Sequence, residues 1–240
     1  MIKNLSVVTL FNSRVIKSLF ILTLLGIILI PLETAAKNEQ KKTIYNCNEN
    51  ILIDMVDIKL QVPKCPHTHI ALQNGSTYGK SIDDYNGEKS LKNVISVRMV
   101  TPELPINAGL RLNYFLNKKP PTAYETYERL YKNNVTEDQV TKISDQIEKV
   151  QFRGVQIYIL SAKEFPTANG EPIVLNCTDP DNPDSDYLKA GMCSTNYAYK
   201  KNTYIDYTFD RGGKLDVNYP KIVEKVHRLI DKMKNQAKRN

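Results

Sequence analysis

Thr136-Glu137-Asp138-Gln139-Val140-Thr141-Lys142-Ile143-Ser144-Asp145-Gln146-Ile147-Glu148-Lys149-Val150 is the stretch on which the fold class turns. Thr136, with Gln139 three residues on, has the spacing of a capping box, and Val140, Ile143, Ile147 and Val150 recur as one apolar stripe. That spacing predicts a helix. Just upstream, Pro120 and Pro121 stand where a first helical turn tolerates proline, and Tyr124, Tyr127, Leu130 and Tyr131 share one helical face. Two helices so close together read as a helical hairpin in the middle of the chain.

On either side the period falls to two, the mark of strands. Ile51, Ile53 and Met55, then Val56, Ile58, Leu60 and Val62, read as one strand bent at Asp54 to Asp57 or as two short ones, closed by Pro63. His69 to Leu72, Val94 to Val100 and Leu110 to Leu116 follow, with Asn74-Gly75 and Asn86-Gly87 punctuating a polar loop. After the middle, Val155 to Ser161, Ile173 to Thr178, Cys193 to Lys200 and Tyr204 to Phe209 predict an antiparallel meander, with turns at Asn169-Gly170 and Lys201-Asn202. A last amphipathic helix places Ile222, Val226, Leu229, Ile230 and Met233 on one side and Lys221, Lys225, Arg228, Lys232 and Lys234 on a basic face. The expected fold is α+β: an antiparallel sheet, a central helical hairpin, and a C-terminal amphipathic helix packed on the sheet.

The N-terminus carries an address. Lys3, Arg14 and Lys17 precede an apolar run from Leu19 to Leu32, and Thr34 and Ala36 supply the small residues a signal peptidase requires. The run is shorter than the roughly 20 residues that cross a ~30 Å hydrocarbon core. Residues 1–36 therefore read as a cleaved signal peptide or as a signal anchor, and 37–43 as a flexible tether. Residues 44–240 are expected to form a single domain with two disulfides. Either version places that domain outside the cytoplasm, as a soluble periplasmic protein or one held in the inner membrane through residues 15–32. The formal charge of +7 belongs mostly to the folded part, because the leader removes Lys3, Arg14 and Lys17 with only Glu33. An exported chain without a recognisable nucleic-acid motif argues against nucleic-acid partners; mild positive charge leaves peripheral membrane association open.

Export gives meaning to the four cysteines, Cys47, Cys65, Cys177 and Cys193. Cys177 ends one predicted strand and Cys193 starts the next, so a bridge would close the loop between them; Cys47 and Cys65 then pair by remainder. Four cysteines allow three connectivities, and the other two stay open. Between the inner pair lies Asp179-Pro180-Asp181-Asn182-Pro183-Asp184-Ser185-Asp186, an acidic loop in a basic protein. It fails the calcium-loop pattern, with no glycine at the required turn and Ala190 where the bidentate Glu belongs. As a stapled loop, Asp179, Asp181, Asp184 and Asp186 would offer charge to a basic partner. Tyr197 and Tyr199 share one strand face in a chain of 14 tyrosines and no tryptophan, and are candidates for the same contact.

His67 and His69 would share a face on an extended strand, and two imidazoles there are the best metal candidate. A third ligand would have to come from His227 or a distant carboxylate, so no metal or other cofactor is expected. No nucleophile elbow, zinc-protease motif or phosphate-binding glycine loop occurs, and the chain reads as non-enzymatic.

Pro172-Ile173-Val174-Leu175-Asn176-Cys177, the stretch Met192-Cys193-Ser194-Thr195-Asn196-Tyr197 running on to Tyr207-Thr208-Phe209, the closing helix after Tyr219-Pro220, and Asp57-Ile58-Lys59-Leu60-Gln61-Val62-Pro63 carry a resemblance. They resemble small exported bacterial proteins of interbacterial competition, in particular periplasmic immunity proteins of type VI secretion effectors. The resemblance implies a protein-binding protein that neutralises a cognate effector by occlusion, in the bacterial envelope. A second reading is an envelope factor acting at the membrane surface through the basic face of the last helix.

Overall fold

The computed structural model describes Cys47 and residues 49–73, 79–100, 108–179, 191–211 and 217–239, all of them within the unit Ile44–Asn240. The leader, the tether and three loop carboxylates, Asp181, Asp184 and Asp186, lie outside the described residues.

The chain opens with a β-hairpin. β1 (Asn50–Met55) and β2 (Ile58–Pro63) alternate buried and exposed residues and pair antiparallel, with Val56-Asp57 as the turn. Val56 takes a positive φ of 44°, a conformation that β-branched residues rarely adopt. The Thr203 hydroxyl donates to the Asp57 carboxylate, tying this turn to the last strand. β5 (Ser90–Leu91) adds to β1 in parallel and completes a three-stranded sheet.

Among the described residues the main sheet has ten strands. β3 (His69–Leu72), β4 (Lys80–Ser81), β6 (Val94–Met99) and β7 (Gly109–Tyr114) form one end; β8 (Val140–Ser144), β9 (Ile147–Phe152), β10 (Val155–Leu160), β11 (Ile173–Thr178), β12 (Met192–Ala198) and β13 (Thr203–Asp210) form the other. The order is β4-β3-β6-β7-β13-β12-β11-β10-β9-β8, and every neighbouring pair is antiparallel. Two meanders thus meet where β13 returns to pair with β7. Two helices complete the described elements: α1 (Ala123–Leu130), and α2 (Tyr219–Ala237).

The helical hairpin expected from Pro120 to Val150 is not there, so the α+β assignment is corrected: the protein is mostly β. Of the pair only α1 forms, capped by Thr122 and Glu125, whose side chains bond reciprocally to each other's backbone amides. The second signal was half right. The Thr136 amide donates to Gln139 Oε1 at 3.0 Å, but it starts only one 3-10 turn, Glu137–Gln139, before the chain turns into the β8–β9 hairpin. Val140 lies opposite Val150 across that hairpin, with Asp145-Gln146 between the strands. The apolar residues here are valine and isoleucine, which lose rotamer freedom in a helix and fit a pleated sheet. A ladder partner decided the matter, because β9 pairs along its whole length with β10. The stripe also has little to cover: Val150 is 1% exposed, but Val140 and Ile143 remain 40% and 51% exposed.

The two faces of the large sheet are treated differently. Its inner face, with Leu110, Leu112, Leu160, Leu175, Ile205 and Phe209, packs with the three-stranded sheet and with Val223, Val226, Leu229, Ile230 and Met233 of α2. Ile222, expected in that stripe, is half-buried and joins its margin. On the outer face, Ala123 and Tyr127 of α1 close a small second core over Val150, Ile157 and Val174. Two disulfides, Cys47–Cys65 and Cys177–Cys193, link neighbouring parts of the chain. They suggest an oxidising compartment, extracellular or periplasmic. Among the described residues no helix is long and apolar enough to cross a membrane.

Candidate functional site

The residues singled out in the sequence divide into those that hold the fold and those that face outward. Asp179 belongs to the first group: Gln151 and Gln156 donate to its two carboxylate oxygens at 2.7 and 3.3 Å. It anchors the base of the acidic loop. Beside it, Arg211 is 4% exposed and donates to Gln156 Oε1, to the Thr178 carbonyl and to the Gly191 carbonyl at 2.8, 2.7 and 3.2 Å. Thr178 and Gly191 flank the loop, so one guanidinium holds both of its ends next to the Cys177–Cys193 bridge. Gly191 is required twice over, by a φ of +64° and by Arg211, whose Nε would lie 2.9 Å from an added Cβ.

Tyr197 and Tyr199 also serve the fold. Tyr197 is 3% exposed, and its hydroxyl lies 2.9 Å from His227 Nε2 on α2. Burial pushes its phenol far above the usual value. The Tyr199 hydroxyl donates to Asp231 at 3.1 Å and accepts from Lys234 at 3.1 Å. Both rings therefore join the sheet to α2, and the partner contact expected of them is taken by the helix. His67 and His69 do not share a face either. His67 sits exposed in a turn at φ +68°, which breaks the extended run, and His69 lies half-buried on β3. Among the described residues no three His, Cys, Asp or Glu side chains are grouped to hold a metal ion.

What faces outward is a rung across the open part of the large sheet. In register from β4 to β12, Ser81, His69, Arg98, Arg111, Asp206 and Asn196 stand side by side on the outer face. The next rung holds Ser96, whose hydroxyl donates to Asn113 Oδ1 at 2.7 Å, and Tyr204, packed edge-on against Phe115. A hollow of about 540 Å³ lies over the rung between His69, Ser96, Asn113 and Phe115, and a smaller one of about 220 Å³ lies towards Asp206 and Thr208. Arg98 and Arg111 line both.

The two arginines are directly opposite one another on β6 and β7 and both are exposed. Among the described residues neither has a hydrogen-bond or ion-pair partner. Opposite residues of an antiparallel pair hold their Cβ atoms about 5 Å apart, and like charges placed there destabilise the sheet. Asp206 is the only carboxylate in the rung. Burial raises its pKa from the ordinary aspartate value, against the pull of Arg111 and then Arg98.

That direction carries a prediction. A carboxyl whose folded pKa is raised favours the folded state while protonated, and stability falls as pH rises from its unfolded value near about 4 through the folded value. Asp206→Asn is therefore expected to raise the melting midpoint at pH 7, with the gain shrinking to nothing at pH below that range. An equal effect at both pH values, measured by thermal melts, would count against the assignment.

Sequence reasoning passed over Arg98 and Arg111. Each is a lone polar residue at an outward position of an apolar alternation, Val97-Arg98-Met99 and Leu110-Arg111-Leu112, which is an ordinary strand pattern. Only the pairing of β6 with β7 brings them together. No protein-family model matches the chain, and no curated protein or solved structure matches it either.

Proposed function

We propose that this is an exported, non-enzymatic protein-binding protein, an immunity protein that neutralises a secreted antibacterial effector by occlusion in the periplasm. The observation that carries the reading is the divided outer face of the sheet. α1 closes it over Val150, Ile157 and Val174, while across β3, β6, β7 and β13 a polar rung on a hydrogen-bonded floor stays open, with Arg98 and Arg111 exposed. A rigid sheet presents such groups without the ordering cost that a loop would carry. Occlusion needs only this kind of preformed surface. The expected result is a stable complex with the product of the neighbouring gene on co-purification, and protection of cells from its toxicity. No complex and no protection would remove the reading.

The membrane-surface reading draws less support from α2. Arg228 pairs with Glu224 and Lys234 with Asp231 on the helix itself, and none of the exposed large hydrophobic residues lies on it. Such a face has no apolar side chains to insert beneath head groups. Binding to anionic liposomes that is lost on replacing Lys221 and Lys225 would restore that reading.

A further inference from the structure

We infer that Arg98 and Arg111 form a two-pronged subsite for the carboxylates of an acidic protein partner. This rests on the binding-protein reading above and gives the partner a sign, opposite to the one the acidic loop suggested.

Three observations carry it. First, the β6–β7 register sets the guanidinium stems opposite each other, a separation of about 5 Å at Cβ from which both forks can reach one oxyanion. Second, both side chains are exposed, and among the described residues neither makes a hydrogen bond or a close ion pair, although Asp206 stands next to Arg111 in the rung and attracts both at longer range. A sheet that served only the fold would gain from separating two like charges or from pairing them. Third, the hollow beside them has the means to seat more than a bare ion: Asn113 and His69 for hydrogen bonds, and Phe115 for an apolar stem.

The occupant follows from charge and shape. Guanidinium forks match carboxylate and phosphate geometry. The floor is one open face of a sheet rather than an enclosed pocket, and the outer polar positions continue past the arginines to Asp206, Thr208, Ser194 and Asn196. A protruding acidic segment of a protein fits that extended surface better than a small anion does. An exported domain meets such a segment rather than a nucleic acid.

Asp206 supplies an internal control. Its carboxylate competes for the same arginine field, so removing its charge should strengthen binding of an anion, whereas removing the arginines should weaken it. A purely structural role for the rung predicts no such opposition.

The test uses the full exported domain with both disulfides intact and a fluorescently labelled hexaglutamate peptide as probe, with hexaglutamine and inorganic phosphate in parallel arms. The expected result is salt-sensitive binding of hexaglutamate and none of hexaglutamine. Charge-assisted hydrogen bonds are worth enough for Arg98→Gln with Arg111→Gln to weaken binding by about tenfold or more, while Asp206→Asn tightens it. Arg98→Thr, which relieves the like-charge pair, should raise the melting midpoint; a fall would show that the arginines serve the fold, and would overturn the proposal. Equal binding by wild type and the double variant, or binding of phosphate without hexaglutamate, would also overturn it. A neighbouring effector captured equally well by the double variant would remove the subsite and leave the immunity reading standing. Hexaglutamate binding without any effector complex would do the reverse.

Discussion

Arg211→Met is expected to lower the stability of the domain by about 3–5 kcal/mol, the cost of breaking a buried hydrogen-bond network. Arg211 is 4% exposed, and its guanidinium is the donor for three acceptors, Gln156 Oε1 and the carbonyls of Thr178 and Gly191. Methionine fills part of the volume but leaves all three acceptors buried without this donor. For a domain of this size the midpoint should fall by roughly 6–20 °C. Arg211→Lys should recover little, because a single ammonium cannot reproduce the planar fork that spans both ends of the loop. Gly191→Ala provides a partner test. Part of its cost comes from the contact with Arg211 Nε, so it should cost less in the Arg211→Met background than alone. A loss below about 1 kcal/mol for Arg211→Met in denaturant unfolding would mean the network is dispensable.

Removing the Cys177–Cys193 bridge as Cys177→Ala with Cys193→Ala should cost about 3 kcal/mol in the chain-entropy account. The two cysteines are 16 residues apart in sequence, directly opposite on β11 and β12, and fully buried. Because Arg211 holds the two ends of the same loop, the bridge and the guanidinium should not act independently. In a double-mutant cycle their combined loss is expected to differ from the sum of the parts. Peptide mapping of the unreduced protein should find Cys177 linked to Cys193 and Cys47 linked to Cys65; a free thiol at any of the four would overturn the pairing. With both proteins reduced, the double alanine variant is expected to be about as stable as the wild type, since neither then carries a bridge.

The middle of the chain explains where sequence reasoning failed. Thr136 and Gln139 do make a start signal, and the valine and isoleucine spacing fits a helix on paper. In the β8–β9 hairpin, whose register shifts between Lys142 and Ser144, Val140 falls opposite Val150 and Ile147 opposite Ser144. Periodicity over so few apolar residues does not separate the two, and the free backbone ladder of β10 settles which forms. The same limit hid the arginine rung. His69, Arg98, Arg111 and Asp206 come from four strands scattered over more than half of the chain, and each looks like a single solvent-facing residue within its own strand. Tyr197 and Tyr199 depend on register in another way: α2 folds back against them through His227, Asp231 and Lys234.

By itself the sequence determined what local chemistry controls. Alternating apolar residues specify the strands of the C-terminal meander, the apolar face of the last helix specifies how it packs, and cysteines at facing strand ends are placed to pair. These depend on neighbours within a few residues or across one turn. The tertiary structure alone decided the rest: that Thr136–Val150 joins the sheet, that Arg211 closes the base of the acidic loop, and that two arginines meet on the open outer face. Those outcomes depend on strand register, and register is settled by burying a whole inner face at once, because a shift of one residue would turn every side chain to the wrong side.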